Sequence, residues 1–186
     1  MNISMIFGLP FSTKGWSELQ LKNLSIPQLA WLLVLPMSFV PPVLMYYAGT
    51  HYGDSFLPGF ASKDWHFITT TLFLAELLTF FVMGWLIHSV LEGHGLTVSY
   101  QDTYLLAAIA PLPLWLSSFA LLVPSLLFNV LVVGLALVLS IILVYQGCKS
   151  LSKESGDALV SMSATYTVIA ASLLAWVLLL GIVWAY

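Results

Sequence analysis

The stretch TYLLAAIAPLPLWLSSFALLVPSLLFNVLVVGLALVLSIILVY, residues 103–145, contains no Asp, Glu, Lys or Arg. A helix crossing a hydrocarbon core of about 30 Å needs about 20 mostly apolar residues. These 43 residues are too many for one crossing and suit two. Pro124-Ser125 marks the break, because proline removes a backbone donor and restricts the residue before it. The reading is therefore a helical hairpin with spans at 103–123 and 125–145. With no water to satisfy backbone groups inside a bilayer, helices are the way for such runs to cross.

Working outward, three more apolar runs follow the same rule. Residues 29–48 form a first span, 67–91 a second and 163–186 a fifth. The whole composition agrees: 60% of the 186 residues are hydrophobic and 7% charged, against roughly 45–50% and 25% in soluble domains. Mean hydropathy is +1.00. Five Lys, no Arg and eight acidic residues exclude a nucleic-acid binder, which needs clustered cations. The hydrophobic content excludes a disordered chain. Cys148 stands alone, which removes intrachain disulfides, thiol relays and four-cysteine metal sites.

The fold class read from this pattern is all-α: an integral membrane bundle of five transmembrane helices, residues 29–186. A short cytoplasmic amphipathic interfacial lead-in precedes it, residues 1–28. In the lead-in, Ser12 is positioned to cap a surface helix over residues 10–24, with Phe11 and Trp16 as its hydrophobic staple. Trp16 and Leu19 are expected to dip into the lipid interface, with Lys14 and Lys22 toward headgroups; the alternative is an inert lead-in. It lacks the basic start and early apolar run of a cleavable signal. Ser99-x-x-Asp102 reads as the capped start of the third span. Loops are expected at Gly49–His66 outside and at Glu92–Asp102 and Gln146–Met162 inside. Lys14, Lys22, Lys149 and Lys153 then face the cytoplasm and only Lys63 the exterior, so the positive-inside rule sets the N-terminus inside and the C-terminus outside. Trp31, Trp65, Trp85 and Trp184 fall near span ends, as an aromatic belt places them.

The five-span layout with its short amphipathic lead and minimal outer hairpin resembles the Yip family, and more particularly its small bacterial members. Gly8-Leu9-Pro10, Lys14-Gly15-Trp16, Val82-Met83-Gly84, Ala110-Pro111-Leu112-Pro113-Leu114 and Leu143-Val144-Tyr145-Gln146-Gly147 carry the resemblance. It implies a multi-pass protein of the bacterial inner membrane with no established reaction, and it carries over no catalytic residue. Eukaryotic relatives bind Rab-type GTPases and act in vesicle traffic; they carry a long cytoplasmic N-terminal region and an Asp-Leu-Tyr-Gly-Pro sequence, and this chain departs from both patterns.

Chemistry concentrates on Glu76, the one acid inside a predicted span. A charge at the bilayer centre costs about 2.5–3.5 kcal/mol on insertion scales. With no Arg, and no Lys inside a predicted span, Glu76 is expected to be uncharged at neutral pH unless a cation or water reaches it. Helical spacing places Thr69, Phe73, Thr79, Phe80 and Met83 near its face, so Thr69, Glu76 and Thr79 form a thin polar stripe. Pro111 and Pro113 interrupt the third span near its centre and free the carbonyls of Ala107 and Ile109. Pro36, Pro41 and Pro42 interrupt the first. Two readings stay open: a midplane site built by Glu76, Thr69, Thr79, Pro111 and Pro113, or kinks and packing glue in a compact bundle. Tyr166 and Asn129 are candidate partners for the acid.

Other residues carry less. His51, Asp54, Asp64 and His66 share the outer loop and its edge, a donor set zinc accepts, but without an i, i+4 pair they assign no metal. His66 and His88 lie about 33 Å apart along one helix and do not share a ligand. His88 falls at the inner interface and His94 in a loop. Ser161, Thr165, Ser172 and Ala175, and Gly134 on the fourth span, are small residues that let helices approach within or between subunits. No His-Glu-x-x-His, Gly-x-Ser-x-Gly or phosphate loop is present, so no enzyme and no cofactor is expected. The expected partners are membrane lipids, a membrane-protein partner or a second copy, and no nucleic acid. The leading expectation is a non-enzymatic scaffold that organises the membrane or recruits partners through segments 1–24 and 146–162. The alternative is a transporter, channel or lipid-handling protein with a midplane site around Glu76 and the proline-broken first and third helices.

Overall fold

A computed structural model describes residues 9–10, 13–152 and 158–185. Gly8, Phe11, Ser12 and Lys153, and the side chains of Lys14 and Trp184, lie outside what it describes. Among the described residues every regular element is helical, and five helices are long and apolar enough to cross a membrane. They are Ile26–Phe56, Trp65–Gly93, Tyr100–Leu122, Leu126–Leu151 and Ala158–Leu178, the last helix running on to Ala185. They match the expected runs in number and order, and most ends extend beyond the apolar stretch. The helix continues there because each further residue satisfies another backbone group.

Local chemistry sets the starts. Ser25 and Gln28 form a capping box: the Gln28 N–H donates to Ser25 Oγ at 3.4 Å and the Ser25 N–H to Gln28 Oε1 at 3.0 Å. Pro27 sits in the first turn, where its missing donor costs nothing. Asp64 caps the second span through Phe67 N at 3.1 Å. Ser99 caps the third through Asp102 N at 3.1 Å, as the spacing predicts. The fourth starts at Ser125, just past Pro124, whose hydroxyl accepts from Phe128 N at 3.5 Å.

The first span absorbs its prolines by changing helix type. Residues Ala30–Val34 form a π turn directly before Pro36, closed by the Leu35 N–H on the Ala30 carbonyl. The wider turn makes room for a ring that would otherwise strike the preceding carbonyl. The third span breaks instead. Helix Tyr100–Ile109 ends, Pro111 begins a new turn, and Leu112–Ser117 resumes before a 3-10 segment through Leu122.

Packing corrects three expectations. Trp16 and Leu19 do not dip into lipid: each is 1% exposed. The N-terminal helix Thr13–Gln20 lies against the fourth span, and the Trp16 indole donates to the Leu9 carbonyl at 3.2 Å. A protein seat that also satisfies the indole N–H competes well with an interface. The outer loop is shorter than Gly49–His66, because the first span stays helical through Phe56. His51 and Asp54 therefore sit on a helix. Trp65 leaves the aromatic belt and is buried, lying against Gly49 and donating to the Phe60 carbonyl at 2.9 Å. Trp31 and Trp85 remain exposed.

The core lies at the end of the bundle that carries the N-terminal helix. Met83, Ile87 and Leu91 of the second span, Leu105–Ile109 of the third, Val144 and Cys148 of the fourth and Val160 and Ala164 of the fifth form one cluster with Trp16. Two glycines permit it. A Cβ at Gly84 would lie 2.6 Å from the Tyr104 ring, and one at Gly147 would enter the Leu106 side chain. Gly134 has open space around it, so it mediates no close approach within the chain.

Candidate functional site

Glu76 lies near the middle of the second span, half-buried, on the rim of a cavity of about 110 Å³. The second to fifth spans line it. Pro111 and Ala110 enter it from the break in the third span, Ser140 from the fourth, and Ser172 and Trp176 from the fifth. Glu76, Pro111, Ser140 and Ser172 each lie near the midpoint of their own helix, so the cavity falls at mid-helix depth.

The break in the third span aims Trp115. Its backbone N–H bonds the Pro111 carbonyl at 3.0 Å, and its indole N–H donates to Glu76 Oε2 at 2.7 Å. The ring is 2% exposed, so this bond satisfies a buried donor. Ser140 Oγ donates to the Ala110 carbonyl at 2.5 Å. The fourth span thus supplies a donor beside the break, at Ala110 rather than at Ala107 or Ile109. Thr79 Oγ1 donates to the Ala75 carbonyl at 2.7 Å on its own helix.

The residues singled out from the sequence divide between two places. Glu76, Thr79 and Pro111 line the cavity. Pro113 is not among its lining residues; it sits in the first turn of the resumed helix. Thr69 donates to the Trp65 carbonyl at 2.7 Å and faces a separate cleft between the first two spans, with Phe39, Pro42, Tyr46 and His66. The third span's proline break reaches the Glu76 cavity; of the first span's prolines none lines it, and Pro42 lines the other cleft. The supposed stripe from Thr69 to Thr79 is split because the helix turns two faces to two neighbours.

Neither candidate partner meets the acid. Asn129 donates to the carbonyls of Val123 at 2.9 Å and Ser125 at 2.8 Å, and Tyr166 is 67% exposed. Trp115 takes that role. Its signal in the sequence was an indole at mid-span depth, away from either interface, where its N–H needs a protein acceptor.

The outer histidines and acids are each occupied. His51 stacks on Tyr47, Asp54 accepts from Ala61 N at 3.0 Å, Asp64 caps a helix, and His66 Nε2 lies 3.2 Å from the Tyr46 hydroxyl. Among the described residues no three His, Cys, Asp or Glu are grouped to hold a metal. At the other end, His88 is buried against the Tyr100 ring at 3.7 Å, with Nε2 3.3 Å from Glu92. His94 Nδ1 lies 2.8 Å from the Val90 carbonyl.

No curated protein and no solved structure matches the chain. The Yip1 domain pattern matches residues 9–185, nearly its whole length and all five apolar helices. The chain belongs to the Yip1 domain family.

Proposed function

We propose that this Yip1-domain protein is a non-enzymatic scaffold of the bacterial inner membrane, with its N-terminus in the cytoplasm and its C-terminus outside. The Yip1 family is not a known enzyme family. The observation that carries the reading is the docked N-terminal helix. Burial of Trp16 and Leu19 leaves Glu18, Leu21 and Lys22 exposed. They lie near a polar groove lined by Gln20, Thr97, Ser99, Asp102 and Ser150. An ordered polar surface at one end of the bundle suits recruitment of a protein partner, because little has to be ordered on binding.

Photo-crosslinking from Gln20 or Thr97 in intact cells tests it. A defined protein adduct is expected, and it should vanish in Trp16→Ala. Lipid adducts alone would overturn the scaffold reading. Reporter fusions at Tyr186 check the orientation, which the four-to-one lysine asymmetry supports. An external reporter should be active there and a cytoplasmic one silent.

A second reading is favoured by the midplane cavity. A lone carboxyl on a cavity shared by four helices suits a transporter, channel or lipid-handling protein. Loss of substrate movement in Glu76→Gln, with folding kept, would favour it over the scaffold.

A further inference from the structure

We infer that the Glu76 cavity is a binding site for a small monovalent cation, an alkali ion or a compact amine, taken up in exchange for the Glu76 proton. The inference deepens the second reading, since it treats the cavity as a ligand site.

Hydrogen-bond direction carries it. Three donors of this wall are already spent: the Trp115 N–H on Glu76 Oε2, the Thr79 hydroxyl on Ala75 and the Ser140 hydroxyl on Ala110. A hydroxyl that has given its proton to a carbonyl keeps only lone pairs. Thr79 and Ser140 therefore offer the cavity acceptors alone. Glu76 Oε1 has no protein donor among the described residues, and the Ser172 hydroxyl makes no hydrogen bond there. An occupant that needs donors, such as a phosphate or carboxylate, finds Ser172, the Trp176 indole and the proton of a neutral Glu76, but no positive charge. One that brings donors or positive charge finds up to four oxygens.

Charge and size point the same way. No basic side chain lines the cavity. The lysine nearest along its lining helices, Lys149, is in the last turn of the fourth span, about 13 Å along the helix from Ser140. A water occupies roughly 10–15 Å³ of such space, so about 110 Å³ admits a partly hydrated ion or methylammonium and not a phospholipid. The indoles of Trp115 and Trp176, both in the lining, add faces that attract cations. When the cation enters, the carboxyl O–H bond breaks, the carboxylate pairs with the cation and the proton leaves to water. The charge within the bilayer is unchanged, which avoids the cost of an unpaired charge at midplane depth.

The test uses the full chain in nanodiscs at neutral pH in weak buffer. Sodium, potassium, ammonium and methylammonium chlorides are added in turn, with tetraethylammonium chloride as an oversized control. At least one small cation should release about one proton per chain, since one carboxyl titrates, and should abolish the infrared band of a protonated carboxyl. Glu76→Gln should lose both signals. Ser172→Ala should weaken the cation roughly tenfold, the scale of one hydrogen bond to a charged group, with the same proton yield. Sodium or potassium alone acting identifies an inorganic site, the amines alone an organic one. Folded protein that releases no proton with any of the four overturns the inference. So does an unchanged response in Glu76→Gln, or tetraethylammonium as effective as the small ions. Cation flux into proteoliposomes is measured separately: exchange without flux keeps the site and removes the transport reading.

Discussion

The end of the bundle that carries the N-terminal helix and the opposite end are held by different forces. At the first, one apolar cluster runs from Trp16 through Ile87, Leu106, Cys148 and Ala164, and glycines at 84 and 147 let the helices close on Tyr104 and Leu106. At the second, side chains reach backbone carbonyls: Tyr52 to Leu121, Trp65 to Phe60 and Asn129 to Val123 and Ser125. One large apolar cluster dominates the first end, while at the second the directed polar contacts share the hold with close packing of Trp65 on Gly49. The cavity lies at the margin of the apolar cluster: Met83, Ile87, Ala107 and Val144 belong to the cluster and also line the cavity.

The largest effect should come from Trp16→Ala. Removing a fully buried indole costs about 3–5 kcal/mol. Protease cleavage within residues 13–20 should appear, with a lower thermal midpoint. If the helix stays protected, the first end is not held by that side chain. Gly84→Ala should follow, at about 1–3 kcal/mol for overpacking, because the added carbon meets the Tyr104 ring. Denaturation in mild detergent with increasing SDS would measure it, and a neutral result would show that Tyr104 moves freely.

Between the ends, Glu76→Ala should cost about 1–3 kcal/mol by leaving the buried Trp115 N–H without an acceptor. Glu76→Gln keeps an acceptor and should unfold close to the wild type. Equal losses in both would mean that charge, not hydrogen bonding, holds the contact. At the second end, Asn129→Ala should cost only about 1 kcal/mol. It loses two bonds but also removes a buried amide oxygen that has no partner. A loss as large as that of Trp16→Ala would erase the contrast between the ends. The smallest change should be Pro113→Ala, within about 0.5 kcal/mol, because a first-turn proline sacrifices no helical bond. A clear rise in thermal midpoint would show that the third span is held broken against its preference.

The order and number of the apolar helices were legible in residues 103–145 and the three other runs. So were the Ser99 cap and the Pro124 break. Each depends on a property of neighbouring residues: the apolar length a crossing needs, a hydroxyl three positions before an amide, a ring without a donor. Glu76 stood out for the same reason, as a single acid in an apolar run. Trp16 and Trp65 were misplaced because lipid interface and protein core both accept an indole, and composition does not tell them apart. The first span's prolines were assigned to the wrong neighbourhood because depth along a helix is readable and the face toward a neighbour is not.

By itself, then, the sequence determined that this chain is a five-helix membrane bundle with one acid at mid-depth, because crossing a bilayer imposes a local demand on length and polarity. That Trp115 holds the acid, that Ser140 serves the carbonyl beside Pro111 and that Thr69 faces elsewhere came from helix packing. Those contacts join residues on different helices, 39 and 30 positions apart in the first two cases. Their distance is set by how helices rotate and tilt against one another, which small differences in packing decide and no local pattern records.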